Sequence, residues 1–315
     1  MNVRRFHLRF NEPAGAPRKK TAGAGAPREE PMNAAFQGVH GAYSEAAARA
    51  ALGKEIATSP CETFAEVFDR VERRQSDRGV IPIENSLAGS IHENYDLLLT
   101  HGLHIVGEIH QRIEHALLAP PGSTLGRLTS VRSHPQALAQ CSRFLLAHPA
   151  IKPVPFFDTA GAAHAVARDG HTDTGAIAGA YAARLYGLRI LKRNIENSPN
   201  NFTRFLVLSR APWKFTHGTK TRSSIVFTPA ANRPGMLFHI LGVFALRDID
   251  LLKIESRPDP RSPFDYRFYA DIAGGPDEER VSRAFDHLRE IVSHFRLLGT
   301  YPAAAGPARR TRAGG

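Results

Sequence analysis

The stretch VIPIENSLAGSIHENYDLL, residues 80–98, decides how this chain is read. It opens on the apolar run Val80-Ile81-Pro82-Ile83, which has the β-branched content of a core strand. It then turns polar at Glu84, Asn85 and Ser86 and enters a helical pattern, in which Ile91, Tyr95, Leu98 and Leu99 share one face closed by Gly102. A core strand that ends on three polar side chains and leads into a helix is the junction with which α/β sheets line a crevice at their carboxyl edge.

The same design recurs on both sides. AAFQG (34–38) reads as a strand, and Ser44 as the cap of a helix over 45–52 that stops at Gly53. Thr63 with Glu66 forms a capping box for a helix over 64–75, and RGVIPI (78–83) is the next strand. Ser90 with Glu93 reads as a second box. The run 103–120 alternates apolar and polar residues as extended chain, and RLTSVRS (127–133) is again a strand. Ser133 and Gln136 make a third box, with Pro135 in the first turn of a helix over 134–147. VPFFD (154–158) leads into Thr159 and a helix ending near Gly170. TGAIAG (174–179), a helix over 180–186, RILKRN (189–194) and TRFLVL (203–208) complete the series. The alternation predicts an α/β region over 34–212 with mainly parallel strands. Beyond the polar connection WKFTHGTKTR (213–222) the pattern changes to strand 223–228, helix 235–246, strands 250–257 and 265–272, helix 277–292 and strand 294–301. That βαββαβ order is ferredoxin-like and marks a separate domain at 222–301.

Composition sets the bounds. The 315 residues suffice for two or three domains with their own cores, and no run approaches the ~20 apolar residues of a membrane span. The formal charge of +11 suggests nucleic acid, but its distribution argues otherwise. Residues 1–31 hold seven Lys/Arg against three Glu, and the tail adds Arg309, Arg310 and Arg312, so most of the excess sits at the two ends. The leader 1–33 is Gly/Ala/Pro/Arg-rich and reads as disordered, as does the tail 302–315. The leader is either a transit peptide, which would place the protein in a plastid, or a segment upstream of a start at Met32; without it the protein reads as cytoplasmic. Cys61 and Cys141 sit in apolar helical patterns and read as reduced, buried thiols, and nothing resembles a metal motif.

Ser44, Ser86, Ser90, Ser133 and Thr159 all lie at or near strand–helix junctions. Each is an ordinary cap, worth ~1 kcal/mol. A cap needs one hydroxyl, however, and not Glu-Asn-Ser or Ser-His-Pro-Gln, so Asn85, Ser86 and His134 stand out as site candidates, whereas Ser90 and Gln136 are explained as caps. In NNFTRFLVL (200–208), alternation puts Thr203 and Phe205 on one strand face and Arg204 on the other. Arg204 is either a surface charge or, at the mouth of a crevice, a two-pronged carboxylate ligand.

In these residues the chain resembles the prephenate dehydratases and the related arogenate dehydratases of phenylalanine synthesis. The matching stretches are FQGVHGAYSEAA (36–47), GVIPIENSLAGSIHENYDLLL (79–99), SHPQALAQC (133–141), DTAGAA (158–163), NFTRF (201–205) and KIESRP (253–258). The resemblance implies two α/β lobes with the fold of periplasmic binding proteins, an active site in the cleft between them, and an ACT domain at 222–301 that binds phenylalanine at a subunit interface of a homodimer or homotetramer. It places the effector among Asn232, Gly235, Leu237, Glu255, Ser256 and Arg257, with Met236 departing from the family's Gly-Ala-Leu motif. It also implies the reaction, loss of water and carbon dioxide from prephenate to give phenylpyruvate, and assigns Thr203 to the departing hydroxyl. An aliphatic hydroxyl is a very weak acid, so Thr203 is expected to stabilise the leaving oxygen, with Glu84 and His134 as candidate proton sources. Phe205 is expected to exclude water, and Ser44, Asn85, Ser86, Ser133, Thr159, Asn201 and Arg204 to bind the substrate's polar groups. No metal or organic cofactor is required. Two other readings follow from single features: a non-catalytic amino-acid sensor, from the two lobes, and a nucleic-acid binder, from the basic ends. An intact Thr203-Arg204-Phe205 speaks against the first, and the mildly basic body against the second.

Overall fold

The computed structural model describes residues 32–215, 218–259 and 265–304. The basic segment 1–31 and most of the tail lie outside them. The described ends of the expected leader and tail are structured, since the first strand begins at Asn33 and the last runs to Pro302.

The chain first builds β1 (Asn33–Gln37), α1 (Tyr43–Leu52), β2 (Ala57–Cys61), α2 (Phe64–Glu72), β3 (Arg78–Asn85), the short β4 (Gly89–Ser90), α3 (His92–Thr100) and β5 (His104–Arg112). It crosses into a second lobe of β6 (Ala116–Ala119), β7 (Ser130–Ser133), α4 (Pro135–Gln140), α5 (Ser142–Leu146), β8 (Lys152–Pro155), α6 (Thr159–Asp169), β9 (Thr174–Ala178), α7 (Ala180–Leu185) and β10 (Arg189–Lys192). It then returns to the first lobe as β11 (Phe202–Ser209). The strand order is β2-β1-β3-β11-β5 in one lobe and β10-β6-β9-β7-β8 in the other. The lobes are therefore joined by two crossings, at 113–115 and 193–201.

Both sheets are mixed, which corrects the expectation of mainly parallel strands. β1 pairs in parallel with β2 and β3, but β11 runs antiparallel to both β3 and β5. The reason is topological. β11 comes straight out of a crossing, so it starts at the cleft edge where β3 and β5 end. This reversal sets Thr203, at the start of β11, opposite Asn85, at the end of β3.

The third unit is β12 (Thr221–Pro229), α8 (Met236–Ala245), β13 (Leu251–Pro258), β14 (Tyr266–Ala273), α9 (Glu279–Ile291) and β15 (Val292–Pro302), in the order β13-β14-β12-β15. It is the ferredoxin-like arrangement read from the sequence. Helices α8 and α9 cover one face of this sheet through Ile240, Phe244, Phe285 and Leu288. The other face, with Val226, Tyr269, Leu298 and Tyr301, packs on Ile83, Ile105, Leu206 and Leu208 of the first lobe. The opposite face of that lobe's sheet is covered by α1, with Val80, Phe205 and Val207 beneath Ala47 and Ala48. The approach of the two sheets is close at Gly299, where a Cβ would lie 2.1 Å from the Ile105 carbonyl oxygen. The end carbonyls of α3, at Leu99 and His101, accept from Arg296 of β15 at 3.0 and 2.7 Å, which fastens the third unit to the first lobe.

Candidate active site

Strand and helix ends from both lobes enclose a cavity of about 270 Å3. Lobe one contributes the end of β1, the start of α1, Pro82 and Asn85 of β3, and Thr203 and Phe205 of β11. Lobe two contributes His134, Gln136 and Gln140 from α4 and its approach, and Asp158 and Thr159 at the start of α6. Ile113 and His115 line it from the first crossing.

Thr203 is buried, and its environment fixes the role of its hydroxyl. The Asn85 carbonyl oxygen accepts from the backbone N–H groups of Leu87 and Ala88 at 3.0 and 2.9 Å, which settles which way the amide points. Its Nδ2 therefore donates to Thr203 Oγ1 at 2.9 Å and to Asn201 Oδ1 at 2.8 Å. Thr203 Oγ1 thus accepts from Asn85, and its own O–H is left for another acceptor. Behind it a chain of bonds crosses the cleft. Asn201 Nδ2 donates to Gln140 Oε1 at 3.0 Å, the same oxygen lies 2.9 Å from His115 Nε2, and His115 Nδ1 lies 2.9 Å from the Tyr43 hydroxyl. Gln140 Oε1 accepts from both Asn201 and His115 Nε2, while the Tyr43 hydroxyl donates to the Glu114 carbonyl at 2.8 Å beside His115 Nδ1. Burial lowers the His115 pKa. Burial of the hydroxyl end holds the Tyr43 phenol well above its ordinary value.

Two helices aim their N-termini at the cavity. α1 starts at Tyr43 without a side-chain cap. α6 is capped by Asp158, whose Oδ1 accepts from Gly161 N. At α1 the unpaired N–H groups and the helix dipole favour an anion, whereas at α6 the Asp158 carboxyl already occupies that place.

Of the candidate residues, Thr203, Phe205, Asn85, Ser44, Thr159 and His134 line the cavity. Asn201 does not; it is a buttress between Asn85 and Gln140. Ser86 also stands behind the wall, where its hydroxyl donates to the Asn200 carbonyl and accepts from Phe202 N, tying β3 to β11. Ser133 is buried and donates to the Ile177 carbonyl at 2.6 Å, linking neighbouring strands. The expected caps shift accordingly. Ser44 lies inside α1, Ser90 bonds to Glu255, α4 is capped by His134 Nδ1 accepting from Gln136 N, and Gln136 lines the cavity.

Two expected site residues lie on the far side of the sheet. Glu84 pairs with Lys253 of β13 at 3.1 Å. Its displacement follows from a register slip between Arg204 and Phe205, which leaves Ile83 as an extra residue and turns Glu84 away from the cleft. Arg204, 7% exposed, does grip carboxylates with its fork, but they are the protein's own. Its Nε donates to Glu108 at 2.7 Å, Nη1 to Asp271 of β14, and Nη2 to the Tyr301 hydroxyl of β15 at 3.0 Å. Arg222 also reaches Glu108, at 2.8 Å. These opposite charges hold the Arg204 pKa above its usual value in spite of burial. Strand alternation therefore points Thr203 into the cleft and its neighbour Arg204 into the third unit.

The third unit holds a second cavity, of about 510 Å3, between the β12–α8 connection and β14. Asn232, Gly235 and Leu237 line it, with Met236 beside them. Gly235 has φ +81, in the left-handed region where a side chain is strained. Glu255 and Arg257 are not part of it. Glu255 accepts from Ser90 at 2.8 Å and faces His92, and Arg257 donates to Asp96 at 2.9 Å, so both fasten β13 to the first lobe. Ser256 alternates to the opposite, exposed side of β13. Among the described residues one group of carboxylates and imidazole, Asp69, Glu72 and His101, stands close enough together for a cation, but it lies outside the cleft.

Sequence reasoning missed Tyr43, His115, Gln140 and Asp158. Asp158 carried a usable signal, since an Asp before a small-residue helix is an N-cap. His115 carried none, because its role depends on a crossing between sheets.

The sequence model of the prephenate dehydratase family matches residues 34–212, and that of the ACT domain residues 224–288. Arogenate dehydratase/prephenate dehydratase 1, chloroplastic, of Arabidopsis thaliana is 46% identical over 281 residues, which cover 85% of this chain and 71% of that protein. The crystal structure of prephenate dehydratase from Arthrobacter aurescens in complex with L-Phe superposes with a TM-score of 0.79 at 30% identity, covering 88% of this chain and 94% of that one. A structure named GqqA, a novel type of quorum quenching acylase, superposes with a TM-score of 0.80 at 38% identity, covering 87% and 98%.

Proposed function

The chain belongs to the prephenate dehydratase family, and from that premise we propose that it converts prephenate to phenylpyruvate under feedback control by phenylalanine. As a dehydratase it is a carbon–oxygen lyase. The observation that carries the substrate reading is the Asn85 amide, which holds Thr203 Oγ1 as an acceptor and leaves its proton for an oxygen in the cavity. A hydroxyl leaving a ring as the adjoining π system becomes aromatic needs such a donor, aimed at the charge as it develops. The substrate is an anion, and the cavity has one uncapped helix N-terminus, that of α1, to receive a carboxylate. Phe205, 2% exposed, supplies an apolar wall, and loss of carbon dioxide is favoured where its carboxylate leaves water.

Arogenate differs from prephenate only in an ammonium-bearing centre in place of a ketone, and the Arabidopsis relative is named for both activities. The acylase name of one solved relative raises a different reaction. Amide hydrolysis needs an activated nucleophile, and the hydroxyl at the centre of this cleft is held by Asn85 rather than by a histidine. Dehydration is therefore the reading adopted.

For regulation, the Gly235 cavity offers a turn whose backbone a small zwitterion can approach. A homodimer or homotetramer in which such cavities meet would make the response cooperative. The deciding experiment is turnover of prephenate and arogenate by the same preparation, with and without phenylalanine. Phenylpyruvate or phenylalanine must form; hydrolysis of an acyl amide with neither product refutes the proposal.

A further inference from the structure

The reaction proposed above consumes a proton, and this inference rests on that proposal. A prephenate dianion becomes a phenylpyruvate monoanion, carbon dioxide and water only if one H+ is added; arogenate needs the same one. The Thr203 hydroxyl is far too weak an acid to be the net source. The cavity wall must hold a group that arrives protonated and can be recharged from solvent.

Among the described residues four titratable side chains line the cavity: Tyr43, His115, His134 and Asp158. Tyr43 keeps its proton, since burial raises its pKa well above the phenol's ordinary value. Burial lowers the His115 pKa, and both of its ring nitrogens are engaged, by Tyr43 and Gln140. His134 is exposed, lines the cavity, and has its Nδ1 engaged by Gln136 N. Asp158 is half-buried, and Gly161 N takes up one of its oxygens. Burial raises its pKa and outweighs the backbone bonds from Gly161 and Ala160 and the proximity of His134, all of which favour the anion. Tyr186 faces it from the end of α7, with His164 of α6 stacked on that ring at 4.9 Å. A bound dianion adds a like charge and favours the protonated carboxyl further.

We propose that Asp158 is the catalytic acid: its carboxyl protonates the departing ring oxygen while Thr203 hydrogen-bonds to it, and His134 returns a proton from solvent. In this step the bond between the ring and its carboxylate breaks, and carbon dioxide leaves. The released electron pair enters the ring and expels the hydroxyl at the opposite carbon. That oxygen takes the Asp158 proton and departs as water, leaving Asp158 as the carboxylate. Asp158 and Thr203 line the same cavity from opposite lobes, on either side of the space a substrate would fill.

Asp158→Asn is the informative variant, because Asn caps a helix as well as Asp does but holds no transferable proton. Asp158→Ser, also a cap, serves if the first variant folds poorly. The expected result is a fall in kcat of about a hundredfold or more with both prephenate and arogenate, and loss of the alkaline limb of the kcat–pH profile, at a nearly unchanged melting temperature. A kcat within about threefold of wild type, or an alkaline limb that persists, overturns the assignment. A loss confined to KM for arogenate overturns it too, since Asp158 would then be reading the ammonium group. If the wild-type protein turns over neither substrate, the functional reading falls as well; if wild type and both variants are equally active, only the acid assignment falls.

Discussion

Replacing Arg204 by Lys keeps the charge and removes the fork. In the native arrangement three nitrogens of one guanidinium serve Glu108, Asp271 and Tyr301 in different directions. A lysine ammonium donates from a single point and can reach one of the two carboxylates. Glu108 keeps Arg222, but Asp271 is left buried without its cation whenever the ammonium turns to Glu108. Hydrogen bonds to charged groups contribute about 1.5–3 kcal/mol each. A broken buried ion pair costs about 3–5 kcal/mol, because a charge is left uncompensated. Together these give an expected destabilisation of about 4 kcal/mol, or a drop of about 6 °C in melting temperature for a chain of this size. KM for substrate should hardly change, since Arg204 faces away from the cleft. The assays are thermal unfolding and steady-state kinetics on the same preparation. If Arg204 bound a substrate carboxylate instead, the signature would reverse: a KM raised tenfold or more with a melting temperature within about 3 °C of wild type. That outcome would refute the two-sided reading of β11.

Thr203→Ala should lower kcat by about a hundredfold or more with little change in KM, as expected for a donor whose bond strengthens at the transition state; a kcat within about threefold of wild type removes Thr203 from the chemistry. Gly235→Val puts a β-branched side chain at a positive φ beside the second cavity, and should weaken both phenylalanine binding by calorimetry and phenylalanine inhibition. Full sensitivity in that variant would place the effector elsewhere. Burial lowers the His115 pKa, so the folded value lies below that of the unfolded chain. As pH falls through the unfolded value of about 6.5, the unfolded state takes up a proton that the folded state refuses, and stability declines. Melting temperature should therefore drop more between pH 7.5 and 5.5 for wild type than for His115→Gln; parallel curves would contradict this.

Most of the fold was legible because it rests on local signals. Alternating strands and helices, Gly53 and Gly170 at helix ends, and the βαββαβ order from residue 222 all follow from period and punctuation. The reversed strand β11 was not, since direction depends on where a crossing enters the sheet. The site was legible where alternation decides it, as in Thr203 against Arg204. It was lost where a bulge breaks alternation, and so Glu84 was read into the cleft although it faces Lys253. The hydroxyls at the junctions misled for another reason. A serine near a strand end can cap a helix, tie two strands together or line a cavity, and only the packed structure tells Ser44, Ser86 and Ser133 apart.

The packing of the third unit on the first lobe bears on how a desensitised form could be engineered. Deletion of an inhibitory module is the usual shortcut, and it suits proteins whose parts meet through thin, polar contacts. Here the cut would strip the cover from Ile83, Ile105, Leu206 and Leu208 and release one side of the Arg204 cluster. The excised catalytic half would carry a bare apolar sheet face, the kind of surface that draws proteins into aggregates. Under the proposed feedback control, tolerance to phenylalanine is therefore better sought by reshaping the Gly235 cavity, which lies between the β12–α8 connection and β14 and leaves the shared face intact.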